Sequence, residues 1–197
     1  MTKKKKGLPK GGSYKEDRRM GLFDENFKTL DNWTWSRVGN RKVTDLKEFI
    51  DSHSDSKFYI GTDSQKHSTR KKKGKKYWRF TTCLIAHNPR RGGSVLECSE
   101  TVEVPKHLSG KLTREERLPV LRQRLVYEAT KSIHVAWYLN EVMDSSNIEI
   151  HVDVNSDSKW DSSRYKDEIV GYVTSQGFAC EHKPEAWAAS WVADGRC

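Results

Sequence analysis

The sequence predicts an α/β fold: a mixed five-stranded sheet in which an antiparallel meander of strands 1–3 is followed by an αβαβα order, with helices on both faces. Three observations favour this class. Between residues 57 and 104, three runs rich in β-branched and aromatic residues are joined by loops. A long stretch with helical spacing follows, and two further strand patterns then alternate with helical ones. The 197 residues suit one such domain with a tail.

The predicted meander consists of the segments KFYIGT, YWRFTTCLIAH and SVLECSETVEV. Consecutive strands joined by short loops favour antiparallel pairing. A short helix precedes the first strand, because Thr44 can cap the segment TDLKEFID and the apolar residues of that segment recur at helical spacing. The loop between the first two strands, residues 66–76, carries seven Lys or Arg in eleven residues.

A long helix is predicted from about Thr113 to Met143. Thr113 and Glu116 match a capping box, and Pro119 falls in the first turn, where its missing N–H is harmless. Spacings of three and four residues define one stripe along the helix. The residues on this stripe are Leu118, Leu121, Leu125, Glu128, Ser132, Val135 and Leu139. Glu128 is the only acid among them.

The remaining elements alternate between strand and helix. The segment NIEIHVDVN predicts a strand whose isoleucines and valines face one way, while Glu149, His151 and Asp153 face the other. A helix that ends at Gly177 follows, and FACEH is a short strand. Pro184 then opens a final helix, PEAWAASWVAD, whose alanines allow close approach to a neighbouring element.

The N-terminal region is predicted to stand apart from the folded domain, which spans residues 44–197. Residues 1–20 are rich in basic residues and glycine and poor in apolar side chains, so we expect a disordered basic tail. Residues 21–43 form an N-terminal extension. Its Trp33 and Trp35 can stack on bases or pack into the core, and we favour core packing because aromatic side chains mostly bury.

The composition limits the classes of function. With 36 basic and 27 acidic residues the net charge is +9, which favours a polyanionic partner such as nucleic acid, although a basic surface can also serve solubility alone. The four cysteines form no CxxC pair and no zinc-type spacing with histidine, which indicates a reducing compartment. No segment reads as a secretory signal or approaches the roughly 18 apolar residues of a membrane span. We therefore expect a cytoplasmic protein with no membrane partner.

Four acids are candidates for a metal site. Asp63 ends the first predicted strand, and Glu128 lies on the helix stripe. Asp153 lies on the fourth strand, and Asp194 lies on the last helix. A helix-packed mixed sheet can bring these positions together, and clustered carboxylates cannot all stay ionised without a cation. Mg²⁺ and Mn²⁺ take oxygen ligands and support phosphodiester hydrolysis.

Each acid also has an ordinary explanation. Asp63 can close a strand by bonding its own backbone. Glu128 can be a satisfied buried acid, or an exposed one if the helix phase is shifted by one residue. Asp153 can belong to a solvated sheet face, and Asp194 can lie at a frayed terminus. The joint placement of the four, rather than any single acid, favours a metal site.

Four segments carry a resemblance to a known family: FYIGTDSQ, IHVDVN, IVGYVTSQGF and KPEAWAASWVAD. Over about residues 44–194 the chain resembles the YkuK-like family of predicted nucleases in the RNase H-like superfamily. The resemblance implies an RNase H-like fold and a nuclease that hydrolyses phosphodiester bonds of DNA or RNA with two ions of Mg²⁺ or Mn²⁺. It implies that Asp63 bridges both metals and that Glu128 and Asp153 complete their shells. It further implies that Asp194 holds the second metal.

The alternative to a nuclease is a catalytically inactive module of the same fold that binds nucleic acid. Under either interpretation the basic loop is predicted to contact phosphates, unless it only keeps the protein soluble. The candidate contact residues are Lys66, Arg70, Lys71, Lys72, Lys73, Lys75 and Lys76. Gly61, two residues before Asp63 on the same strand face, is expected to keep that face open for the metal and the scissile phosphate.

Overall fold

The computed structural model describes residues 33–39, 42–68, 76–105, 108 and 110–196. The predicted basic tail, residues 21–32 of the extension and the loop residues Arg70, Lys71, Lys72, Lys73 and Lys75 lie outside the described residues. The division of the chain into tail, extension and domain stays a prediction.

A mixed sheet forms the centre of the molecule, with strand order β1-β4-β3-β2-β5-β6. The strands are β1 (Ser36–Arg37), β2 (Lys57–Ser68), β3 (Lys76–Asn88), β4 (Gly92–Glu103), β5 (Ile148–Val152) and β6 (Ala179–His182). β2, β3 and β4 form the predicted antiparallel meander. β5 runs parallel to β2, and β6 runs parallel to β5. The predicted fold class is confirmed.

The sheet has one strand more than the five that were predicted. Ser36 and Arg37 pair with Glu97 and Leu96 on the outer edge of β4. This edge would otherwise present unpaired N–H and C=O groups. Trp33 and Trp35, which precede the added strand, are only 9% and 3% exposed, so the predicted core packing is confirmed.

Three α-helices pack on one face of the sheet: α1 (Leu46–Asp51), α2 (Arg114–Asn140) and α3 (Lys166–Ser175). α1 is capped by Asp45 rather than by Thr44, because the Asp45 side chain accepts a hydrogen bond from the backbone N–H of Glu48. The capping box of Thr113 and Glu116 at the start of α2 is confirmed. No helix among the described residues is both long enough and apolar enough to cross a membrane.

The opposite face is covered by what we call the C-terminal segment, a π-helix (Ala188–Ala193) continued by a 3₁₀ turn (Asp194–Arg196). The prediction that Pro184 opens an α-helix is wrong. Pro184 lies in a turn in which the N–H groups of Glu185 and Ala186 both donate to the carbonyl of His182, so the helical segment begins after it. Helices on both faces are therefore confirmed, but the last one differs in type and in its first residue.

Candidate active site

Asp63 and Asp153 lie at matching positions relative to the neighbouring parallel strands β2 and β5. In the β2–β5 pair the last partners are Gly61 and His151. Asp63 and Asp153 come two residues after these partners, where β5 has ended and β2 continues. The two carboxylates therefore lie at the carboxyl end of the parallel pair, the edge at which open α/β sheets bind ligands.

Side chains of β2 contact both α2 and the C-terminal segment, because successive side chains of a strand point to opposite faces of the sheet. On one face the Thr62 hydroxyl lies 2.9 Å from the hydroxyl of Ser132 on α2. On the other face Gln65 Nε2 donates to Oδ1 of Asp194 at 2.5 Å. α2 thus brings Glu128 to Ser64 of β2 from one side, and the C-terminal segment brings Asp194 to Gln65 from the other.

Glu128 is a buried acid, only 4% exposed. Ser64 Oγ donates to Glu128 Oε1 at 2.5 Å, and Arg124 Nη2 lies 3.4 Å from the same oxygen. Burial raises the pKa of Glu128 to about 8; the guanidinium of Arg124 opposes this shift, and the charge of Asp63 adds to it. The helix phase predicted for Glu128 is confirmed, since the acid is buried and faces β2.

Asp63 is buried to a similar degree, at 5% exposed. Burial raises its pKa to about 6, and the charge of Asp153 adds to the shift. A hydrogen bond from the backbone of Ser64 and the charge of Arg124 lower this pKa, and the charge of Asp194 raises it slightly. The titration of Asp63 therefore depends on two of the other candidate acids.

Asp153 and Asp194 are more accessible and have partners of their own. Asp153 Oδ1 accepts from Lys183 Nζ at 2.5 Å and from Ser190 Oγ at 3.2 Å. Asp194 is exposed at the rim and accepts from Gln65. The structure thus brings all four predicted acids to one edge of the sheet, two of them buried and two at the surface.

The donor set fits a hard divalent cation in its chemistry, since all four groups are carboxylates. Among the residues that the structure describes, however, no group of three or more His, Cys, Asp or Glu side chains is arranged to hold a metal ion. Glu128, Asp153 and Asp194 are held by Ser64, Lys183 and Gln65 instead. A cation bound here would lower the pKa values of Asp63 and Glu128 by stabilising their ionised forms. It would also have to displace some of the hydrogen bonds and the ion pair that now hold the acids.

Three residues at this edge were not predicted from the sequence. Arg124 donates to the Ser64 carbonyl at 2.7 Å, and its spacing of four residues from Glu128 on one helix was the available signal. Gln65 shares a strand face with Asp63, which was a weaker signal. Nothing in the local sequence pointed to Lys183, because it meets Asp153 only through the folded sheet.

The expectation for Gly61 is wrong. A Cβ atom at Gly61 would lie 2.4 Å from the backbone N of Ala189 and 2.5 Å from the carbonyl carbon of Ala188. The C-terminal segment therefore packs directly on this part of the strand, and the face is not open to a ligand. Gly61 permits the close backbone approach that holds the segment carrying Asp194.

Of the predicted phosphate-binding residues, the structure describes Lys66 and Lys76, on β2 and β3 beyond the acids. Both side chains are exposed. Lys66 Nζ lies 5.3 Å from the centroid of the Trp78 ring, over which the Arg124 guanidinium also lies at 4.2 Å. Their contact with phosphate stays a prediction.

The mixed sheet, its helices on both faces and the acids at the carboxyl end of a parallel strand pair define the class of the protein as an α/β domain of RNase H-like type. A family model described as Ribonuclease H-like matches residues 41–196, and the chain belongs to this family. A comparison with curated proteins found no match, and neither did a comparison with solved structures. The predicted membership of the RNase H-like superfamily is confirmed.

Proposed function

We propose that the protein is a metal-dependent nuclease that hydrolyses phosphodiester bonds in DNA or RNA. One observation carries the proposal: acids from a strand, a strand end, a helix and the C-terminal segment meet at one edge of the sheet, and the charges of Asp153 and Asp194 both raise the pKa of Asp63. An electrostatic arrangement of this kind is unfavourable without a cation and is typical of functional sites. Membership of the Ribonuclease H-like family supports the same function.

In this proposal Asp63, Glu128, Asp153 and Asp194 hold Mg²⁺ or Mn²⁺. When bound, the cations supply an activated water and stabilise the leaving oxygen. Arg124 favours the ionised form of Glu128, and its hydrogen bond to Ser64 fixes the guanidinium in place. The burial of Asp63 keeps bulk water from one side of the site and strengthens every electrostatic interaction there.

The test is cleavage of labelled single-stranded DNA, single-stranded RNA, duplexes, hybrids and branched junctions with Mg²⁺ or Mn²⁺. The parent protein is expected to cut at least one substrate, whereas Asp63→Asn and Asp153→Asn reduce cleavage to the level of the protein-free blank. Asp167→Asn is the matched control, because the Asp167 side chain is 96% exposed on α3. Equal cleavage by the parent and by Asp63→Asn would refute the proposal.

A catalytically inactive module that binds nucleic acid is the second candidate. The ion pair between Lys183 and Asp153 supports it, since an ammonium group already neutralises one of the proposed metal ligands. This candidate predicts salt-sensitive binding and no cleavage of any substrate with either metal. The same substrates, assayed for binding and for cleavage, distinguish the two candidates.

A further inference from the structure

A cleft of about 460 Å³ leads away from the candidate active site. Glu128 and Asp153 line its inner end. One wall is the N-terminal half of α2, and the other is the segment of residues 155–162 that follows β5. Any extended ligand that enters along this cleft therefore reaches the acids.

The walls of the cleft carry cationic side chains. Arg117 and Arg124 lie seven residues apart on α2, which places them on one face of the helix at a separation of about 10 Å along its axis. Lys159 faces them from the other wall. Its ion pair with Asp157 joins two largely exposed side chains, so it is weak and readily exchanged for a phosphate. The walls suit a polyanion that passes between them.

Trp160 stands at the outer part of the cleft with 53% of its surface exposed. Its backbone is fixed in a turn, since its N–H donates to the Asp157 carbonyl at 3.1 Å and its carbonyl accepts from Ser163 Oγ at 2.8 Å. An ion pair of 2.6 Å between Arg114 and Asp161 ties this turn to α2. The turn thus presents a large aromatic side chain to solvent, with Lys159 Nζ 5.8 Å from the centroid of its ring.

A second depression, of about 350 Å³, lies on the other side of the same turn. It shares Asn155, Lys159 and Trp160 with the cleft and is closed by Lys183 and Ser190, which are the partners of Asp153. Trp160 therefore stands on a ridge between two depressions that both border residues of the candidate active site.

We propose that this cleft binds single-stranded nucleic acid, with Trp160 stacked on one base and Arg117 and Lys159 contacting the flanking phosphates. The inference rests on the proposed function, because it makes the cleft the path of the substrate strand to the acids. A single strand is favoured over a duplex because an exposed ring needs the free face of a base, and in a duplex the neighbouring base pairs cover those faces.

The test is the affinity of the full chain for labelled 12-nucleotide single strands of DNA and RNA and for a duplex of equal length, measured by fluorescence anisotropy in EDTA. The parent is expected to prefer the single strands. Trp160→Ala is expected to bind them roughly 5- to 100-fold more weakly, the range for loss of one stacked base, while Trp160→Phe retains most of the affinity. Trp137→Ala is the matched control, since Trp137 is a second exposed tryptophan, at 36%, and lies outside the cleft.

Salt dependence separates stacking from charge. Trp160→Ala should leave the slope of log affinity against log salt unchanged, whereas Arg117→Ala and Lys159→Ala should each reduce it by about 0.7.

Equal affinities of Trp160→Ala and Trp137→Ala, or tighter binding of the duplex, would overturn the inference. EDTA withholds the metal, so the binding assay does not depend on cleavage. A chain that binds through Trp160 in EDTA but cleaves no substrate with Mg²⁺ or Mn²⁺ supports the cleft and refutes the nuclease. A chain that cleaves while Trp160→Ala binds like the parent refutes the cleft alone.

Discussion

Lys183 Nζ lies 2.5 Å from Asp153 Oδ1, so the amino group of a lysine contacts the carboxylate that ends the central parallel strand pair. The two side chains are 31% and 22% exposed, which shields the pair from solvent more than an ordinary surface ion pair. Ser190 donates to the same oxygen. A divalent cation that binds Asp153 must therefore compete with Lys183.

Replacing Lys183 should strengthen metal binding. In Lys183→Ala the carboxylate of Asp153 loses its cationic partner, so the Mg²⁺ or Mn²⁺ concentration for half-maximal thermal stabilisation is expected to fall roughly 3- to 10-fold. The melting temperature measured against metal concentration gives this value. Lys47→Ala is the control, because it breaks an ion pair of the same length on α1. An unchanged or higher half-maximal concentration in Lys183→Ala would contradict the prediction.

Much of the fold could be predicted because the signals for its elements are local. The capping box at Thr113 marks the start of α2, and alternation of apolar and polar residues marks β5. Asp153 directly follows β5, as its predicted place near the end of that strand suggested. The prediction that Asp63 ends the first strand is wrong, because β2 continues to Ser68. A strand of two residues such as Ser36–Arg37 is too short to show an alternation of apolar and polar side chains. It forms by pairing with the outer edge of β4, which its own sequence does not reveal.

The partners of the acids could not be predicted, because they depend on how elements pack. About thirty residues separate Lys183 from Asp153 along the chain, and their contact follows from the parallel pairing of β6 with β5, in which Val152 and His182 are the last partners. The role of Gly61 was misjudged for the same reason. The sequence shows a glycine near an acid, whereas only the packed structure shows that the backbone of Ala189 fills the space above it.

Gly61→Ala should destabilise the protein. The added Cβ would meet backbone atoms of Ala188 and Ala189 rather than a flexible side chain, so the C-terminal segment must shift. Overpacking of this kind costs about 1–3 kcal/mol, which corresponds to a fall in melting temperature of roughly 2–12 °C. Cleavage should fall as well, since Asp194 lies on the displaced segment.

Gly171→Ala is the matched control for this change. Gly171 lies within α3, and a Cβ there would meet no atom within 4 Å. Alanine at an open helical position should raise stability by about 0.5–1 kcal/mol. Thermal unfolding of both variants by circular dichroism checks the contrast, and a Gly61→Ala protein as stable as the parent would disprove the close packing.

The stability of the metal-free protein should fall as pH rises, because of Glu128. Its pKa is about 8 in the folded protein against an ordinary value of 4.5, so the folded state binds the proton more tightly than the unfolded chain. The contribution is fully present below pH 4.5 and is lost as the pH rises through 8. Glu128→Gln cannot ionise, so in EDTA its melting temperature should exceed that of the parent at pH 9, by roughly 9–19 °C if the whole shift is realised.

The difference between Glu128→Gln and the parent should shrink towards zero at pH 5, where the parent carries the proton in the folded state. Glu115→Gln, an exposed substitution in the first turn of the same helix, should show no such trend. Melting temperatures at pH 5, 7 and 9 in EDTA measure both. A difference that does not grow with pH would mean that Glu128 does not hold its proton in the folded protein.

His151 should control how firmly the C-terminal segment is held. It is 1% exposed, and its Nδ1 lies 3.0 Å from the backbone N of Ala188. Because that N–H can only donate, Nδ1 accepts, and the ring hydrogen lies on Nε2, which donates to Glu149 Oε1 at 2.9 Å. In His151→Leu the Ala188 N–H loses its acceptor inside the protein, at a cost of about 1–3 kcal/mol.

Amide hydrogen exchange locates this loss. If His151 anchors the segment, exchange in His151→Leu should become roughly 5- to 100-fold faster across residues 188–194, with a smaller change in the β2–β3 pair. His53→Leu is the control, since the His53 ring contacts Phe49 and its Nδ1 lies within hydrogen-bonding distance of the Phe49 carbonyl and of Ser52, all in the α1 region. Unchanged exchange at residues 188–194 in His151→Leu would show that the remaining contacts, the packing of Gly61 against Ala189 and the hydrogen bonds of Gln65 and Ser190, hold the segment without His151.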